Sequence, residues 1–80
     1  MSVNILNFEI TLLKNYLSKL IDKKNAIQEK KIKKITYKDI SIDYIELLDK
    51  ESFLNREIET VKEIIDIRVN EYEALNKFQK

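Results

Sequence analysis

The chain of 80 residues has no cysteine, no histidine, no glycine, no proline and no tryptophan. Each absence removes a class of chemistry. Without cysteine there are no disulfides, zinc-thiolate sites, iron–sulfur clusters or thiol nucleophiles. Without histidine the chain loses the usual general base and the commonest transition-metal ligand. Without glycine it cannot build phosphate-cradling loops or an EF-hand turn. A fold that also lacks proline has little use for tight hairpins or sharp corners. No cofactor and no metal site is expected, and the chemistry left over points away from an enzyme.

Long apolar runs are missing too. The longest uncharged stretch, Met1 to Phe8, is far too short to span a bilayer, and no membrane partner is expected. It has neither a basic start nor a small-residue cleavage site, so it does not read as a signal peptide, and the expected setting is cytoplasmic. Arginine is scarce: thirteen Lys stand against two Arg, alongside thirteen Ile and seven Asn. These are residues with A- and T-rich codons, the composition expected of low-GC bacteria, their phages and plasmids, and some large DNA viruses.

What is present is charge in two blocks and apolar residues at helical spacing. Residues 1–38 hold nine Lys and three acids, a balance of +6. Residues 39–80 hold six Lys/Arg and eleven acids, a balance of −5. Opposite halves attract, which favours folding one back on the other.

The spacing predicts a first helix over about 3–34. Leu6, Ile10, Leu13, Leu17, Leu20 and Ile27 step by threes and fours, with Lys24 the one polar interruption. Ile5, Leu12, Tyr16 and Ile21 widen this seam on its flanks, and Phe8 falls off it. Lys30, Lys31, Lys33 and Lys34 crowd the last turns, where cations match the negative end of the helix dipole. Residues 35–41 read as a connection, in which Thr36 or Ser41 can cap the next helix and Asp39 and Asp43 place acid at its start. A second helix is expected over about 41–78, with a seam of Leu47, Leu54, Ile58, Val61, Ile65, Val69 and Tyr72.

A second stripe lies away from that seam. Ile42, Phe53, Ile64 and Leu75 follow one another at intervals of 11, close to three full turns, with Ile67 and Phe78 beside the line. The expected fold is therefore all-α: an antiparallel hairpin of two long helices forming a single unit over 1–80, which dimerises into a four-helix bundle. A two-helix core is small, and association would bury the second stripe.

Four sets of candidate residues follow. Phe53, Ile64, Ile67, Leu75 and Phe78 are the candidate protein interface, whether in a homodimer or against another helical protein. Lys30, Lys31, Lys33 and Lys34 form a basic hairpin tip that could grip phosphates. Against nucleic acid, the tip has no Arg and only Tyr37 to stack, and Asp43, Glu46, Asp49 and Glu51 should neutralise part of its field. Glu57, Glu59 and Glu63, or Glu71 and Glu73, lack the histidine that carboxylate metal sites in bundles use and read as solvated acids beside Arg56 and Lys62. Ser18, Ser41 and Ser52 have no histidine to activate them. The leading expectation is a structural or interaction protein such as a regulator, chaperone or assembly factor. The alternative is a nucleic-acid-associated accessory protein that uses the lysine tip.

Overall fold

A computed structural model of the chain describes residues 3–38 and 42–78, the side chain of Phe78 excepted. Two helices, α1 (Val3–Thr36) and α2 (Ile42–Phe78), run antiparallel along their whole length. The result is a rod 61 Å long and 14 Å across. At about 1.5 Å per residue both helices come close to that length, so neither overhangs the other by much.

The seam is the one the three-and-four spacing predicts. Leu6, Ile10 and Leu20 of α1 and Leu47, Leu54, Ile58, Val61 and Ile65 of α2 are buried. Leu20, Leu54, Ile58, Val61 and Ile65 form the continuous core, and Leu13, Leu17, Ile27 and Val69 pack against it. Towards the tip the seam changes character. Lys24, Lys31 and Lys34 occupy the positions that leucine and isoleucine hold further back, and they are half-buried. There Lys31 Nζ meets Glu51 Oε1 at 2.9 Å across the helices.

Helix α1, expected to end near Lys34, ends at Thr36. The Thr36 hydroxyl does not cap α2. It donates back to the Ile32 carbonyl at 2.8 Å, a bond that belongs to the last turn of α1. Tyr37 N–H still donates to Lys33 at 3.0 Å, and Lys38 N–H then tightens to Ile35 at 3.1 Å. Lys38 itself has φ of 54°. It holds the left-handed position that closes many helices and that glycine fills without steric cost. A chain without glycine has to place a side chain there. Ser41 and Asp39, the other residues named for the α2 cap, lie outside the described residues, and Asp43 stands in the first turn of α2.

Candidate interaction surface

The outward side of the hairpin is as patterned as its seam. On α1, Ile5, Phe8, Leu12 and Tyr16 follow steps of three, four and four, displaced from the buried seam by about a quarter turn or more. They were expected to widen the seam, apart from Phe8. Instead they stand in solvent, with Phe8 65% and Leu12 52% exposed. A two-helix contact is narrow, and α2 has no breadth left to cover them.

On α2, Phe53, Ile64 and Ile67 are exposed, Phe53 to 57%. Leu75, named with them from the sequence, is half-buried, and the Phe78 side chain lies outside the described set. Two cross-helix bonds show how the two lines relate. The Tyr16 hydroxyl donates to Glu57 Oε2 at 3.0 Å, and Arg68 Nε donates to Glu9 Oε1 at 2.9 Å. Tyr16 follows Leu12 by one turn, and Glu57 follows Phe53 by one turn and precedes Ile64 by two. The bonds therefore put Ile5, Leu12 and Tyr16 on the same side of the seam as Phe53 and Ile64, one broad face of the rod, with Phe8 and Ile67 further round at its outer rims. They also set the levels: Leu12 lies across from the region of Ile64, and Phe8 from that of Ile67.

These two links hold the face in place. Arg68 Nη1 also donates to both carboxylate oxygens of Glu71 at 3.1 Å. The bond to Glu71, with the charges of Glu9 and Glu71, raises the guanidinium pKa further above its ordinary value, so Arg68 stays charged. The hydrogen bond to the Glu57 carboxylate, and the charge of Glu57, push the Tyr16 phenol above its usual pKa of 10.0.

Towards the tip the same face turns polar. Lys30, Lys33 and Lys34 line a groove of about 380 Å³ with Asp43, Glu46 and Lys50. Lys50 also lines a second groove of about 450 Å³, with Lys23, Ile27 and Phe53. The fold thus brings three of the four candidate lysines together, among acids of α2. The fourth, Lys31, is engaged with Glu51 on the seam. Ile32, Ile35, Tyr37, Ile42 and Ile45 are also exposed near the tip.

Other candidate groups have local partners. Glu59 lies 3.8 Å from Lys62, Glu57 takes the Tyr16 bond and Glu71 takes Arg68. Among the described residues no three acids gather as a cation site would require. No helix there is long and apolar enough to cross a membrane. Ser18 and Ser52 are exposed, and Ser41 lies outside the described residues. What this face can do chemically is exclude water from apolar area and pair charges across it. Comparison with protein-family models, curated proteins and solved structures gives no match.

Proposed function

We propose that this chain is a structural or interaction protein, not an enzyme, and that it acts by helix-on-helix binding. Its first partner is a second copy, joined through the broad face to make a four-helix bundle. The remaining charged exterior is then available to a helical protein partner, as in a small regulator or assembly factor. The observation that carries the reading is the apolar half of the face, where the exposed Ile5 and Leu12 of one helix and the exposed Ile64 of the other lie on the side of the seam that the Tyr16–Glu57 and Arg68–Glu9 bonds mark.

Surface area supports self-association. The hairpin exposes 6360 Å², whereas a compact monomer of 9.6 kDa would expose about 5,100 Å². The excess of roughly 1,300 Å² is more than the ~800 Å² that each partner buries in a standard specific interface. An unstapled two-helix core is a weak source of stability, and a second layer adds to it.

Nucleic-acid binding through the tip is the less favoured reading, because Asp43 and Glu46 share the groove with Lys30, Lys33 and Lys34. One set of variants separates the two. Phe53→Asp and Ile64→Asp should each drive the protein to monomer, while changing Lys30, Lys31, Lys33 and Lys34 together to Gln leaves the assembled mass unaltered. If both Asp variants remain fully assembled, the broad face is not the interface. Salt-sensitive binding of duplex DNA or RNA, lost in the Gln variant, would favour the alternative.

A further inference from the structure

Two rods that meet through the same face can be related by a two-fold axis in either of two directions. With the axis along the rods, both tips point the same way and each α1 lies over the partner's α2. With the axis across the rods, the tips point apart and each α1 lies over the partner's α1. The helices themselves discriminate between these. Helix α1 carries eight Lys and three acids, and α2 carries five Lys/Arg and ten acids. The first arrangement stacks a helix of net charge +5 on one of −5, and the second stacks like on like.

The lengthwise pattern of the face points the same way. Its apolar half, around Leu12 and Ile64, lies towards the open end of the hairpin, and its charged groove lies towards the tip. With tips together, apolar meets apolar. Lys30 and Glu46 line one groove and so share a level, which puts each copy's Lys30 over its partner's Glu46. With tips apart and full overlap, Leu12 and Ile64 would face the charged groove instead. Sliding the copies until only the open ends overlap restores the apolar match but leaves like-charged helices stacked and half the face uncovered.

We infer that the two copies pack with their tips at the same end, the two-fold axis running along the rods and α1 of each copy lying on α2 of the other. This rests on the self-association proposed above and specifies its geometry. The absence of native cysteine makes the test direct. Tyr37 stands at the tip and is 80% exposed, so Tyr37→Cys carries a nitroxide label at the end of the rod. Double electron–electron resonance on the labelled full chain should give a distance of about 15–35 Å, set by helix spacings of ~8–10 Å plus the label arms. A distance near or above the 61 Å length of the rod would overturn the arrangement. Light scattering on the same sample keeps the two claims apart. A dimer mass with a long distance rejects only the tips-together packing, while a monomer mass rejects the self-association beneath it as well.

Discussion

The two ends of this hairpin are built on the same heptad spacing and hold together by different means. From the open end to mid-rod the seam is apolar, and its residues are buried to the extent of Leu6 at 0% and Ile58 at 5% exposure. Towards the tip three α1 seam positions hold Lys24, Lys31 and Lys34, the buried Leu47 and the half-buried Ile27 are supplemented by the Lys31–Glu51 ion pair, and the outer face is a charged groove. Periodicity alone thus makes a helix pack, and the chemistry at each repeat decides how firmly. The open half supplies adhesion, within the chain and towards a partner. The tip half supplies register and direction through charge.

The largest effect should come from the apolar half. Ile58→Ala, at the centre of the core, is expected to cost about 2–5 kcal/mol and to abolish most of the helical circular dichroism of so small a protein. Ile27→Ala, partly buried nearer the tip, should cost about half as much or less. Equal losses measured by urea titration would mean that the two halves are equally firm.

Next in size is the ion pair that joins the thinner hydrophobic contact near the tip. Lys31 and Glu51 are each about one-fifth exposed, and Glu51 Oε2 is shielded without accepting a hydrogen bond from the protein. Lys31→Met alone should lower the melting midpoint, because it strands a shielded carboxylate. Changing both residues to Leu should raise stability by about 1–2 kcal/mol, equivalent to roughly 4–16 °C. A double variant that melts below the wild type would show that the pair itself is net stabilising.

A smaller gain is expected where the chain turns. Lys38→Gly relieves the left-handed backbone at φ of 54° and should stabilise by about 1 kcal/mol. An unchanged or lower midpoint would mean that this conformation costs the lysine nothing.

The smallest effect concerns the link across the open half. Folding raises the pKa of Tyr16, so the bond to Glu57 stabilises the hairpin below the phenol's ordinary value of 10.0, and that contribution is lost as pH climbs through the raised value. Followed by tyrosinate absorbance, one of the four tyrosines should titrate late, and Tyr16→Phe should remove that late step. Persistence of the step in the variant would assign it to another tyrosine.

The seam was legible because its signal is redundant. Leu6, Ile10, Leu13, Leu17 and Leu20 repeat one spacing, so the burial of each supports the next, and charge blocks of opposite sign gave the antiparallel fold a second support. The exposure of Phe53, Ile64 and Ile67 was legible for the same reason, since their stripe lies well away from the α2 seam. The α1 half of the face was not. Ile5, Leu12 and Tyr16 sit close enough to the seam to pass for its margin, and only the narrowness of the packed contact leaves them in solvent. Their spacing with Phe8, one register removed from the seam, was the available signal. The end of α1 was legible only to within a turn, near Lys34, because clustered lysines favour a helix terminus without fixing it. The stop is set by Lys38, whose left-handed backbone carries no sequence signature in a chain without glycine.

The central claim is that the broad face is closed by a second copy. Absolute mass by light scattering behind a sizing column, over a hundredfold dilution, tests it most directly. A dimer at twice 9.6 kDa across the range is the expected result. A particle of 9.6 kDa at every concentration would contradict it and leave the face for a different protein.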